Sequence, residues 1–204
     1  MPTIRIHDFP LSGHAHRVRL FCSLLNLPTE LVPVNLRTGE QKTPTFLAKN
    51  VFGQVPVIED GDVVLGDSNA ILLYLAQRYD PARTWWPEDV LSQAHIQQWF
   101  SAAAGPVANG VARLRALRLF LGADTPEPRA QELAKQALDA MARQLASTRY
   151  LASTTQPTLA DIAMYSYVAR AGDGGVDLAP WPAVQRWLKD IEALPGFVPM
   201  PEKP

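Results

Sequence analysis

Alanine is spread unevenly along this chain. Four of the twenty-seven alanines lie in residues 1–80 and twenty-three in residues 81–204. Alanine favours helix and valine favours strand, so the second part reads as helical throughout, while the first mixes short β-like runs with helical patterns. The segment Asp80-Pro81-Ala82-Arg83-Thr84-Trp85-Trp86-Pro87 sits at the change and carries two prolines, the signature of a connection between domains. With 204 residues there is room for one large domain or two small ones, and enough chain to bury a core. The expected division is a domain over 1–80, a linker over 81–88 and an all-helical domain over 89–204.

In the first part, Thr3 to His7 alternates Ile4 and Ile6 with polar neighbours, as a half-buried strand does. After the loop Phe9 to Gly13, Val18, Phe21, Cys22 and Leu25 recur at helical spacing, and Pro28 predicts the end of that helix. Glu30 to Leu36 is a second strand candidate. Thr43-Pro44 has the form of an N-cap followed by proline at the first helical position, predicting a short helix over Thr45 to Asn50. Val55 to Ile58 and Val63 to Leu65 flank Asp60-Gly61, a tight-turn dipeptide. Ile71, Leu72 and Leu75 mark an amphipathic helix from Ser68 onward. The order is βαβαββα, with the first two strands parallel and the last two antiparallel.

The second part predicts four helical stretches. One runs from about Glu88 toward Leu121, with a kink or break at Gly105-Pro106. A second spans about Pro128 to Tyr150. A third starts at Thr158, where Thr158-Leu159-Ala160-Asp161 has the form of a capping box. A fourth begins near Trp181-Pro182 and stops at Pro195-Gly196.

Nineteen basic residues against twenty acidic ones give a formal charge of −1. That balance argues against nucleic-acid binding by bulk electrostatics and against a polybasic membrane anchor. A single cysteine, Cys22, cannot form an intrachain disulfide, a CxxC pair or a zinc cluster, and fits a reducing compartment. Its place on the apolar face of a helix reads as structural burial. His7, His14, His16 and His95 lack the spacing of a helical metal pair, and no metal site is expected. Residues 1–10 show no basic stretch leading into an apolar one, and no apolar run approaches the roughly 18–20 residues of a membrane span. A cytoplasmic protein is expected.

Two segments carry a family likeness. Gly53-Gln54-Val55-Pro56-Val57-Ile58-Glu59-Asp60-Gly61, followed by Gly66-Asp67-Ser68-Asn69-Ala70-Ile71, resembles the glutathione-holding segment of the cytosolic glutathione S-transferases. Ser12-Gly13-His14-Ala15-His16-Arg17-Val18-Arg19 is similar to the serine-bearing loop of their theta and zeta classes and of many bacterial members. With the Thr158 to Asp161 box far downstream, the resemblance covers essentially the whole chain. It implies a thioredoxin-like N-terminal domain followed by an all-helical C-terminal domain, with glutathione as co-substrate.

Glutathione is a flexible acidic tripeptide whose thiol has a pKa of ~8.5, so little of it is thiolate at pH 7. Lowering that pKa by about two units takes ~2.7 kcal/mol of differential stabilisation. A hydroxyl donating to sulfur beside the positive end of a helix can supply it. By resemblance that hydroxyl is Ser12, which the bare sequence reads first as a helix N-cap. The resemblance also implies a cis Val55–Pro56 bond whose backbone pairs with the cysteinyl unit. It gives Ser68 the γ-glutamyl carboxylate and Asp67 the α-amino group. Gln54 takes the glycyl carboxylate, with Gln41 and Lys42 as further candidates. Both Asp67 and Ser68 also read as simple helix caps, and Lys42 as a surface charge.

The second substrate is expected to be a small apolar electrophile. Phe9, Leu11 and His14 on the serine loop and Trp99 and Ala103 on the first C-terminal helix are its candidate pocket. A glutathione-dependent peroxidase or disulfide reductase is the alternative enzyme. A ligand-binding protein that kept the fold is the alternative of another class. The resemblance further implies a homodimer, with Phe52 either inserted into the partner or packed in its own core.

Overall fold

The computed structural model describes residues 3–122 and 127–202; the expected domain ends at 1 and 204 lie outside them. Strand β1 (Ile4–Asp8) buries Ile4 and Ile6 fully, as the alternation predicts. It also buries His7 and Asp8, which the alternation does not predict. Each is satisfied by a partner of opposite character: His7 Nε2 meets Glu59 Oε1 at 2.7 Å, and Arg19 pairs with Asp8.

Helix α1 (Gly13–Leu24) is capped by Ser12. It ends four residues before Pro28, because Asn26 takes a left-handed conformation (φ 53°) and the Leu27 N–H turns back to the Cys22 carbonyl. Strand β2 (Thr29–Pro33) lies parallel to β1 with Ile4 opposite Thr29. It stops short of the expected Leu36 because the Asn35 side chain accepts from the Arg37 and Thr38 N–H groups and bends the chain into a 3₁₀ turn. Helix α2 (Pro44–Leu47) is capped by Thr43. Strands β3 (Val57–Asp60) and β4 (Val63–Gly66) form an antiparallel hairpin in which Gly61 supplies φ 60°. Helix α3 (Ser68–Tyr79) follows. The sheet order is β2-β1-β3-β4, with β3 antiparallel to β1. The expected βαβαββα order and strand directions are those observed.

The helical unit contains α4 (Val90–Ala102), α5 (Arg113–Phe120), α6 (Pro128–Leu145), α7 (Leu159–Ala169) and α8 (Pro182–Glu192). At Gly105-Pro106 the chain neither breaks nor leaves the helix. Pro106 removes one backbone donor, and residues Ala103–Ala112 widen into π-helical turns joining α4 to α5. The Asn109 side chain donates to the Gly105 carbonyl at 3.0 Å within that stretch. The capping box at Thr158 forms with both reciprocal bonds. Of the basic stretch on α5, Arg113 pairs with Glu127 and buried Arg115 with Asp173, so two of its charges are spent within the fold.

The chain separates into two compact units, one of Met1–Ala82 with Leu194–Pro204 and the other of Arg83–Ala193. The segment from Leu194 onward, read from sequence as the end of the helical domain, therefore packs with the first unit. The cause is local: Ser23 Oγ donates to the Gly196 carbonyl at 2.7 Å and His16 Nε2 donates to the Val198 carbonyl at 2.9 Å. Among the described residues no helix is long and apolar enough to cross a membrane. None of their His, Cys, Asp and Glu side chains group as a metal site would need.

Candidate active site

Helices α1 and α3 of the first unit both begin at one cleft of about 370 Å³. Ser12, Gln41, Lys42, Gln54, Val55, Pro56, Asp67 and Ser68 all line it, joined by His14, Leu36 and Gly53. Eight residues separated by up to fifty-six positions in sequence thus line one cleft.

Ser12 fills its reading as a helix N-cap. Its Oγ accepts from the Ala15 N–H at 3.2 Å, so an oxygen lone pair serves the helix while the hydroxyl proton is left to be donated. The residue is half-buried at the positive end of a twelve-residue helix.

The opposite wall is built by a close approach. Gly53 has φ 57°, and a Cβ there would stand 2.7 Å from the Gln41 carbonyl, so only glycine lets the Gln54 loop lie against the Gln41-Lys42 turn. Asn50 Nδ2 donates to the Gln54 carbonyl at 2.8 Å, and Lys42 Nζ donates to the Phe52 carbonyl at 3.1 Å. The Val55–Pro56 bond is cis. Among the described residues neither the N–H nor the C=O of Val55 takes part in a hydrogen bond.

At the start of α3 one of the two residues read as caps holds that place. Asp67, not Ser68, is the cap: its Oδ1 accepts from the Asn69 and Ala70 N–H groups, both at 2.9 Å, from a backbone held at φ 68°. Ser68 is the first helical residue and is buried, and its Oγ accepts from Arg17 Nη1 at 3.2 Å. The same Arg17 nitrogen lies 3.0 Å from His14 Nδ1, which is itself 3.2 Å from Ser68 Oγ. Burial, and then the charge of Arg17, push the His14 pKa down to about 3, so its ring is neutral. The sequence motif that contains Arg17 gives it no role, and the structure places it against Ser68 and His14. The signal that could have found it is its position on the buried face of α1, five residues after Ser12.

Of the five residues expected to form the electrophile pocket, His14 is the one that lines this cleft. Phe9 packs half-buried against Val34, Phe46, Val55 and Val57, and neither it nor Leu11 lines the cleft. Ala103 is fully buried in the core of the helical unit, so its methyl group walls no open pocket. Trp99 faces a separate cavity within that unit, together with His95, Gln144 and Thr148. Phe52 is 72% exposed, which excludes the alternative of packing in its own core. Cys22 is buried, and that burial pushes its thiol up to about 12, the inert structural cysteine the sequence suggested.

Residues 6–83 match the glutathione S-transferase N-terminal domain and residues 97–190 the C-terminal domain of the same family. Glutathione S-transferase 3 of Zea mays is 34% identical over 100% of this chain and 98% of its own length. A crystal structure of a glutathione S-transferase from Pseudomonas fluorescens superposes with a TM-score of 0.89 at 32% identity, covering 98% of this chain and 99% of that one. A glutathione transferase homologue from Drosophila mojavensis, solved with bound glutathione, superposes with a TM-score of 0.86 at 29% identity, covering 96% and 90%. Both domain models in chain order and full-length relatives lead to one statement: the chain belongs to the glutathione S-transferase family.

Proposed function

We propose that this protein is a glutathione transferase that binds glutathione in the cleft of the first unit, holds its thiol as thiolate and adds it to a small apolar electrophile. The observation that carries the reading is the convergence of two helix N-termini, each with a serine, on one cleft. One serine suits a thiolate and the other a carboxylate, the two negative groups the tripeptide must present. Ser12 donates its hydroxyl hydrogen to sulfur and stays protonated itself. The helix dipole adds to the stabilisation of negative charge there, so the bound thiol loses its proton more readily than the free one.

Val55 pairs with the cysteinyl backbone, the hydroxyl and backbone N–H of Ser68 receive the γ-glutamyl carboxylate, and Asp67 lies near the α-amino group. Gln54 serves the glycyl carboxylate, with Gln41 and Lys42 beside it. The homologue that holds glutathione supports the choice of co-substrate. In this reading residues 1–80 are the glutathione-binding domain, 81–88 the linker and 89–204 the helical domain, with the final segment serving the first. The working form is a cytoplasmic homodimer. Exposed Val51 and Phe52 on the first unit and exposed Val90 and Leu91 on the helical unit support a second copy covering apolar surface.

The test is a pH titration of glutathione thiolate absorbance on wild type and Ser12→Ala. A bound thiol about two pK units below the free value, restored by the substitution, is expected. An unchanged pKa in Ser12→Ala removes Ser12 from the role. Comparing turnover of an aryl halide with that of a glutathionyl disulfide separates transfer from reduction.

A further inference from the structure

Arg17 lies wholly buried beneath the cleft and does not line it. Its Nη1 carries two hydrogens, and two acceptors stand within reach: Ser68 Oγ at 3.2 Å and His14 Nδ1 at 3.0 Å. A guanidinium always donates. The Nδ1 of His14 has one in-plane lone pair and, facing such a donor, must accept. The single proton of the neutral ring therefore sits on Nε2. Ser68 Oγ lies 3.2 Å from the same Nδ1, but that lone pair is already engaged at the shorter distance. The hydroxyl proton of Ser68 is thus turned away from His14, on a residue that lines the cleft.

We infer that Arg17 is a positioning residue for the carboxylate end of the cleft, aiming the Ser68 hydroxyl at the γ-glutamyl carboxylate and holding His14 as a neutral, Nε2-protonated ring. The assignment rests on glutathione being the ligand. Burial of His14 works in the same direction, since it disfavours the charged ring that would repel Arg17. The arrangement is a relay of hydrogen-bond polarity: a fixed cation dictates which atom of each neighbour is acceptor and which is donor, so the ligand meets a hydroxyl already oriented.

The experiment measures glutathione binding by calorimetry at pH 7 on the full chain. It compares wild type, Arg17→Lys, Arg17→Met, Ser68→Ala and the double variant Arg17→Met/Ser68→Ala, and reads the ¹⁵N shifts of the His14 ring by NMR. Arg17→Met is expected to weaken binding about tenfold and Arg17→Lys about threefold. Ser68→Ala is expected to cost about tenfold alone but less than twofold once Arg17 is gone, because the two act as one unit. The wild-type ring shows the Nε2–H tautomer, and Arg17→Met shows a mixture. Additive losses, or Arg17→Met binding as tightly as wild type, overturn the assignment. If Arg17→Met does not fold, the wild-type spectrum still decides, because an Nδ1–H tautomer overturns it. Wild type that binds no glutathione overturns the proposed function instead, and the tautomer then reports on the Arg17–His14 contact alone.

Discussion

Single residues in the first unit answer to acid in a direction the structure sets. His16 is fully buried, donates Nε2–H to the Val198 carbonyl and has its pKa lowered to about 4, chiefly by burial; His14 is lowered to about 3. An unfolded histidine titrates near 6.5. Between pH 6.5 and 4 the unfolded chain therefore binds protons that the folded chain refuses, and stability rises with pH in that window. The contribution is complete above 6.5 and is lost as the pH falls toward 4 for His16 and toward 3 for His14. Urea unfolding at pH 7.5 and pH 5 should show the wild type clearly weaker at pH 5. His16→Gln, which keeps an amide donor near Nε2 and cannot titrate, should lose part of that difference. An identical difference in both proteins would mean that His16 is not a source of it. At this scale the sequence read well where chemistry is local, as at Ser12. It read poorly where a partner arrives from another element: nothing near Arg17 in sequence announces Ser68, fifty-one positions away.

At the scale of elements, the helix path through Gly105-Pro106 shows what a pattern can and cannot convey. Proline's missing N–H forecasts disturbance, but whether a helix breaks or widens depends on what packs beside it, and here that neighbour is α6. A Cβ on Gly110 would stand 2.4 Å from the Ala134 nitrogen and 2.9 Å from its Cα. Both are backbone atoms, which cannot turn aside. Gly110→Ala gains about 1 kcal/mol of helix propensity yet forces α6 outward, and a net loss of about 2 kcal/mol is expected. Gly105→Ala, with nothing within 4 Å of its new methyl group, should instead gain about 0.5 kcal/mol. Denaturant midpoints of the two variants should move in opposite directions. The capping box, by contrast, was legible because it is written in four adjacent residues. Its further reach was not legible: Asp161, fully buried, also accepts from the Leu151 N–H at 2.9 Å and from the Trp187 indole at 2.8 Å. Asp161→Ala strands those donors together with the Thr158 N–H, and a loss of about 4 kcal/mol and roughly 10 °C in Tm is expected. A shift under 3 °C would show that the cap is only local.

Across the whole molecule, the first unit is discontinuous in sequence, since it takes its last piece from beyond the helical unit. The division of alanine revealed two compositional regions but could not reveal this return, because Leu194 to Pro201 has no periodicity to read and its role lies in two backbone carbonyls. Those carbonyls, of Gly196 and Val198, receive Ser23 and His16 from α1, the helix that carries Ser12 and Arg17. Gly196 also needs to be glycine, with φ 83° and a would-be Cβ 2.9 Å from the Ser23 carbonyl. Ending the chain at Ala193 would leave buried His16 without its acceptor and uncover the surface beneath Met200, which is 4% exposed. The truncated protein should therefore unfold its first unit at lower temperature while the helical unit, which keeps all of its own residues, keeps its transition. Calorimetry of the two transitions tests this, and glutathione affinity should fall at temperatures where the first unit frays. Gly196→Ala in the full chain should reproduce part of the shift. If the truncated chain melts as the full one does, α1 is held by the sheet and α3 alone, and the return of the tail is incidental to the site.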